Sequence, residues 1–299
     1  MYQQFIDEFI AQEDLPESYC DDIADWFLPL VPELVACRRR TPDKPLLIGV
    51  NGAQGTGKST LAHLLTGLLQ GMGQHAVALS LDDFYLTKAE RTRLSQDIHP
   101  LLACRGVPGT HDVRLASQTL DKLLAAGPGD LVHLPGFDKG ADDRLPESQW
   151  SLVSGPLDII FFEGWCVGAT PQADGELLMP MNTLEKTEDQ DGRWRHFVNE
   201  ALSLGYQSLF ARLNLLLVLQ APDFEQVYAW RGHQELQMQR KRGDREIGFN
   251  ALELVRFIQH FERLTRHCLH TLPVNADVVF YLDNDHRVTQ RSSGLTHRL

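Results

Sequence analysis

Gly52-Ala53-Gln54-Gly55-Thr56-Gly57-Lys58-Ser59 is the stretch that most constrains this chain. It satisfies G-x-x-x-x-G-K-[ST], and its flanks supply the context the pattern requires. Leu46-Leu47-Ile48-Gly49-Val50 before it is an apolar run of strand length. After it, Leu61, Leu64, Leu65 and Leu68 recur at i, i+3, i+4 and i+7, one face of a helix. This pattern between a strand and a helix reads as a P-loop. Its backbone N–H groups curl around phosphate oxygens where side chains would collide, and the helix behind it adds unpaired N–H groups and a positive dipole end. Gly52, Ala53, Gln54, Gly55, Thr56, Gly57, Lys58, Ser59 and Thr60 are therefore the candidate nucleotide-binding residues. Lys58 is placed to reach the β- and γ-phosphates and Ser59 to offer its hydroxyl to Mg²⁺. No N-K-x-D string is present, which favours ATP over GTP.

The rest of the chain repeats the strand-then-helix rhythm. Further apolar runs occupy 76–81, ending at Asp82-Asp83-Phe84-Tyr85; 157–162, ending at Glu163-Gly164; 213–219, ending at Gln220; and 278–282, ending at Asp283. Continuous apolar strands separated by helices predict a mostly parallel sheet covered on both faces, the three-layer α/β arrangement of P-loop NTPases. Residues 1–40 carry helical spacing in Phe5, Ile6, Phe9 and Ile10 and again in Ile23, Trp26, Phe27 and Leu30. The polar stretch 38–43 then divides an N-terminal helical extension (1–43) from the P-loop domain (44–299). Asp112 reads as the cap of a helix whose apolar face is Val113, Ala116, Leu120, Leu123 and Leu124.

Charge and cysteine usage narrow the partners. Lys and Arg total 28 against 40 Asp and Glu, a net charge of -12, so no nucleic-acid partner is expected. Five scattered cysteines without a C-x-x-C pair fit a reducing compartment. The start shows no cationic-then-apolar leader, and runs such as 215–219 are too short to span a bilayer. A cytoplasmic protein without a membrane partner is expected.

Ligands of open α/β sheets lie beyond the carboxyl ends of the strands, where Asp82, Asp83 and Glu163 fall. A carboxylate there can accept the proton of an attacking hydroxyl or hold Mg²⁺. Neighbouring strand residues face opposite ways, so Asp82 and Asp83 are expected to do different work. The loops 99–112 and 135–147 suit a small polar substrate, with Tyr85, Arg105, His111, Asp138, Lys139 and Arg144 as candidates beside Asp83. The other reading of these loops is turn chemistry, with Asp138 a loop anchor. Residues 167–195, rich in Gly, Pro and charge, read as a long loop or insertion. The basic stretch 231–247, with Arg231, Arg240 and Arg242, is either a solvated helix face or a cationic lid over phosphates. Trp165 and Trp230 read as core or loop anchors, Cys166 lacks a paired base, and His267-Cys268-Leu269-His270 lacks a second ligand pair.

Taken in order, 52–59, Leu81-Asp82-Asp83-Phe84-Tyr85 and Phe162-Glu163-Gly164 resemble P-loop kinases of the uridine kinase, phosphoribulokinase and pantothenate kinase superfamily. His99-Pro-Leu-Leu, Arg105-Gly-Val-Pro-Gly-Thr-His-Asp112, Phe137-Asp-Lys139 with Asp143-Arg144, and Phe162-Glu-Gly-Trp-Cys-Val-Gly168 narrow it to a resemblance to the D-glycerate 3-kinase family. So do Asn182, Leu184-Glu185, Trp194-Arg195, Val198-Asn199, Trp230-Arg231 with Gln234-Glu235, and Asp283-Asn-Asp-His-Arg287. The likeness spans roughly 44–290. It implies transfer of the ATP γ-phosphoryl group to a hydroxyl, Asp82 as catalytic base, Glu163 beside the metal with Ser59 and Asp82, and a helical lid over 223–247. D-glycerate is the lead acceptor, its carboxylate held by Arg105 and Lys139. The alternatives are another small alcohol (a nucleoside, pantothenate or a sugar type) or a P-loop ATPase serving as a regulatory module. The N-terminal helices are expected to pack on the sheet or to support a homo-oligomer, and Asn284 and His286 are placed near the base.

Overall fold

The run ahead of the P-loop is apolar toward both sides, so the chain must cover both sides of it. The computed structural model describes residues 2–232 and 251–295. Its strands are β1 (Leu46–Gly52), β2 (Ala76–Ser80), β3 (Leu131–Leu134), β4 (Phe137–Asp138), β5 (Asp143–Arg144), β6 (Ser151–Ser154), β7 (Ile159–Gly164), β8 (Leu215–Gln220), β9 (Val278–Leu282) and β10 (Val288–Ser293). Six build the main sheet in the order β10-β9-β8-β1-β7-β2, all parallel except β10. β1 is buried along its whole length between β7 and β8.

The helices are α1 (Gln3–Glu13), α2 (Tyr19–Asp22), α3 (Leu28–Arg40), α4 (Lys58–Gly71), α5 (Lys88–Asp97), α6 (Val113–Ala125), α7 (Thr183–Glu188), α8 (Arg193–Ala201), α9 (Gln207–Phe210), α10 (224–232) and α11 (Ala251–Asn275). The two-residue alternation of β1 splits the core between the two faces. Leu46, Ile48 and Val50 join Leu61, Leu64, Leu65 and Leu68 of α4 on one side. Leu47 joins Ala116, Leu120 and Leu123 of α6 and Phe261 and Leu264 of α11 on the other.

The N-terminal helices belong to the first of these cores. Ile6, Phe9, Phe27, Leu30 and Leu34 are buried in it, and the Phe27 ring meets Phe280 of β9 edge-on at 5.2 Å. Phe5 presses on Gly67 of α4, where a Cβ would fall 2.1 Å from a ring carbon. Arg287 pairs with Asp22, and Arg291 of β10 with Glu33, so α2 and α3 are tied to the sheet's far edge.

Three features depart from the sequence reading. Asp82 and Asp83 stand not on a strand but in a 3₁₀ turn, Leu81–Phe84, capped by the Ser80 hydroxyl. The pairing of β2 stops at Ser80 opposite Glu163, and the chain turns there, so strand alternation does not separate the two aspartates. The 167–195 segment is not a plain loop, because Asn182 caps α7 and a 3₁₀ turn runs Asp174–Leu177. β10 escaped notice because its sequence, one valine followed by five polar residues at the sheet's edge, shows neither an apolar run nor an alternation. No helix among the described residues is long and apolar enough to cross a membrane.

Candidate active site

The P-loop leaves β1 at the carboxyl end of the sheet. Gly55 and Gly57 adopt φ of +83° and +87°, which side-chain-bearing residues rarely reach. Thr56 closes the turn by donating from its hydroxyl to the Ala53 carbonyl at 2.8 Å. α4 begins at Lys58 without a side-chain cap. The first-turn N–H groups at Lys58, Ser59 and Thr60 therefore lack helical acceptors and face the loop's concavity as an anion site.

Beside it, β7 pairs Glu163 with Val50 of β1 and Ser80 of β2. Ser59 Oγ donates to Glu163 Oε1 at 2.8 Å. The other oxygen, Oε2, is buried and has no partner among the described residues. A buried carboxylate oxygen left open next to a hydroxyl is a donor set suited to a hard divalent cation, and it fits Mg²⁺.

Asp82 lies next in this row. Tyr85 donates its hydroxyl to Asp82 Oδ1 at 2.6 Å, and Lys139 Nζ reaches Oδ2 at 2.9 Å. Burial pushes the Asp82 carboxyl up, but Lys139, Lys58 and the Tyr85 hydroxyl outweigh it and hold the group below the usual carboxylate range. Asp83 moves the opposite way, to about 6, by burial and then by the charge of Asp82. The two aspartates thus have different electrostatics, for a reason other than the strand alternation that suggested it. Both oxygens of Asp82 are engaged by protein donors here, whereas Glu163 keeps one open.

Most of the predicted acceptor residues gather around this aspartate. The His111 ring stacks on Tyr85 at 4.7 Å, and Phe137 meets Tyr85 edge-on at 5.1 Å. The Arg105 guanidinium lies 5.5 Å above the Phe137 ring and pairs with Asp142. Two residues stand apart. Arg144 spends its guanidinium on the Tyr85 carbonyl and Asp112, holding the loops together. Asp138 accepts the backbone N–H groups of Gly140 and Ala141, the loop-anchor role. Trp165 is an anchor too, donating to the Gly106 carbonyl at 2.8 Å. Cys166 is buried, and burial raises its thiol well above the ordinary value, which suits an inert residue.

Over the P-loop sits the end of α10. Trp230 packs so close to Gly55 that a Cβ there would lie 2.9 Å from the Trp230 Cβ. Its indole stacks on His286 at 4.0 Å and donates to the Asn284 carbonyl, while His286 Nε2 lies 2.9 Å from the Gly55 carbonyl. Trp230 is thus a stacking residue at the P-loop, not only an anchor. Nothing local in the sequence could join it to a histidine 56 positions away. The Arg231 guanidinium covers the Phe257 ring at 5.5 Å. Arg240 and Arg242 lie outside the described residues. Asp142, which the sequence marks only as part of the 135–147 loop, pairs Arg91 as well as Arg105, and the reading missed Tyr206, which hydrogen-bonds His111.

A central parallel sheet, a P-loop after its middle strand, and a hydroxyl–carboxylate pair at the strand ends define a P-loop nucleotide-binding protein. No protein-family model matches the chain. It is 34% identical over 225 residues to the uncharacterized kinase mug58 of Schizosaccharomyces pombe, covering 73% of this chain and 79% of that one. It is 31% identical over 224 residues to the chloroplastic D-glycerate 3-kinase of Arabidopsis thaliana, covering 73% of this chain but 46% of that longer one. Among solved structures, D-glycerate 3-kinase from Cryptococcus neoformans aligns with a TM-score of 0.72 at 25% identity, over 89% of this chain and 98% of that one. The chain belongs to the D-glycerate 3-kinase-like family of P-loop kinases.

Proposed function

We propose that this kinase transfers the γ-phosphoryl group of ATP to a hydroxyl of a small anionic alcohol, with D-glycerate as the lead acceptor. The observation that carries the reading is the environment of Asp82, a carboxylate held between Tyr85 and Lys139 in the same row as Ser59 and Glu163. The names of two relatives, both D-glycerate 3-kinases, support the choice of acceptor.

In this reading the P-loop N–H groups and Lys58 bind the phosphates, and the Trp230–His286 stack flanks the nucleotide. Ser59 and Glu163 would hold Mg²⁺, which when bound neutralises charge on the β- and γ-oxygens. The acceptor's carboxylate draws Lys139 away from Asp82 and rests between Lys139 and Arg105. Asp82 Oδ2, released, takes the hydroxyl proton as the oxygen attacks. Losing Lys139 removes the largest charge that holds the Asp82 carboxyl low, so its proton affinity rises as the acceptor binds, which suits late uptake of the proton in a loose phosphoryl-transfer transition state.

The test is ATP-to-ADP turnover with Mg²⁺ across a panel of small alcohols, products identified by mass. Phosphoglycerate formed only with D-glycerate is the expected result. Asp82→Asn should abolish turnover and leave ATP affinity within about twofold, because the P-loop is untouched. Near wild-type turnover in that variant removes Asp82 from the chemistry. Tight ATP binding without any acceptor-dependent turnover removes the small-alcohol assignment.

A further inference from the structure

His111 and Tyr206 form a buried pair joined by a short hydrogen bond, and the backbone N–H of His111 also acts on the Tyr206 hydroxyl. Tyr206 is 1% exposed and His111 4%. The Tyr206 hydroxyl lies 2.6 Å from His111 Nδ1 and 3.0 Å from the Gly109 N–H. The Gly109 N–H can only donate, so it occupies a lone pair of the hydroxyl oxygen. The one proton of the hydroxyl is then free to point at Nδ1, which makes Nδ1 an acceptor. A neutral imidazole with an acceptor at Nδ1 carries its proton on Nε2.

The opposite arrangement fares worse. A proton on Nδ1 would turn the Tyr206 hydroxyl proton away from its only described acceptor, and Nε2 would become a bare lone pair. That leaves two buried polar groups unpaired instead of one. Burial also keeps both partners neutral, lowering His111 to about 4 and raising the Tyr206 phenol well above its ordinary value.

The group that remains unpaired is His111 Nε2, buried and without a partner among the described residues. Its ring lies against Tyr85, whose hydroxyl holds Asp82, and Asp82 is the charge that acts on it. An N–H left buried and unpaired on a ring that stacks on Tyr85, whose hydroxyl in turn holds Asp82, is a donor that an oxygen of a bound ligand would satisfy.

We propose that Tyr206 is a positioning residue that fixes His111 as the Nε2–H tautomer, so that His111 donates a neutral hydrogen bond to a hydroxyl or carboxylate oxygen of the phosphoryl acceptor. This rests on the acceptor site proposed above. A neutral donor selects an oxygen without selecting charge, which complements the cations Lys139 and Arg105. It also disfavours an ammonium group at that position, because two donors would face each other.

The test has two arms on the full chain. In the first, long-range ¹H–¹⁵N spectra of ¹⁵N-histidine protein report the tautomer, with His111 assigned by the signals lost in His111→Gln. The wild type should show Nε2–H, and Tyr206→Phe, which keeps the ring, should shift the population toward Nδ1–H. An Nδ1–H wild type, or an unchanged tautomer in Tyr206→Phe, overturns the assignment whatever the enzyme does. In the second arm, Tyr206→Phe should raise KM for D-glycerate roughly tenfold, the worth of one hydrogen bond, with kcat and the KM for ATP changing far less. In His111→Gln the side-chain amide supplies a donor near the Nε2 position with no tautomer to set. Adding Tyr206→Phe there should move KM less than about twofold. A full tenfold effect in that background makes Tyr206 a packing residue and overturns the proposal. Absence of D-glycerate turnover in the wild type defeats the substrate reading alone, and the spectra then decide the role of Tyr206.

Discussion

Removing the charge of Glu185 should destabilise this protein far more than removing that of Glu188, although the two glutamates stand one turn apart on α7 and both pair with arginines of α11. Glu185 is fully buried, and Arg263 grips it with Nε at 2.7 Å and Nη2 at 2.6 Å. The same guanidinium donates to the carbonyls of Glu176 and Met179 at 2.8 and 2.7 Å, and Glu185 also accepts the Met181 N–H. Glu185→Gln keeps the shape but leaves a buried guanidinium without its counter-ion, which costs roughly 3–5 kcal/mol. Glu188 and Arg256 form an equally short bidentate pair, with Nε at 2.8 Å and Nη2 at 2.6 Å, yet their side chains are 39% and 53% exposed. Water screens that pair, so Glu188→Gln should cost about 0.2–1 kcal/mol. Equilibrium urea unfolding of both variants gives the comparison, with parallel slopes as the condition for reading midpoints as stability. A gap of roughly 2 kcal/mol or more is expected. Equal losses would mean that burial does not govern these pairs and that the α7–α11 contact rests on packing alone. The pair Glu185→Leu with Arg263→Met should recover only part of the loss, because the Glu176 and Met179 carbonyls lose their donor.

Two further perturbations probe the site and the core. Glu163→Gln should weaken the apparent Mg²⁺ affinity in turnover by at least the roughly 10–100-fold that loss of even an outer metal partner costs, while metal-free nucleotide binding holds; an unchanged Mg²⁺ titration would place the metal elsewhere. Burial lowers His260 from 6.5 to about 4. As pH falls the unfolded chain binds this proton first, so the stability is complete above pH 6.5 and lost between pH 6.5 and 4, by roughly 3 kcal/mol. His260→Phe should flatten that fall in urea midpoints measured from pH 7 to 4.5, and an identical fall in the variant would exclude His260 as a source.

The parts of this fold that the chain declares are those whose cause is local. The P-loop is legible because glycine, lysine and serine at fixed spacing are each demanded by one phosphate cradle, and because strand and helix patterns flank it. The parallel strands are legible for a similar reason, since each is a mostly apolar run that stops at a polar residue or glycine. β10 and the short pairs β3–β6 and β4–β5 are not, because strands of two to four residues are too short to show a period and β10 carries a single apolar residue. Asp82 and Glu163 follow from where strands end, a rule that survives even though Asp82 turned out to stand two residues past its strand.

Partners far apart in sequence follow another logic. Tyr206 meets His111 across 95 residues. Glu185 meets Arg263 across 78, and His286 meets the carbonyl of Gly55 across 231. In each case the residue's chemistry offers several partners, and only the packed fold chooses one. The choice also alters function-bearing properties that composition cannot encode: the proton affinity of Asp82 depends on Lys139 being within 2.9 Å, and the tautomer of His111 on which lone pair of Tyr206 is already taken. The sites where sequence reasoning named the residue but not its state are therefore the ones where a neighbour distant in sequence sets the proton. At such sites a variant that changes only the neighbour, as Tyr206→Phe does, separates a residue's identity from the state that makes it useful.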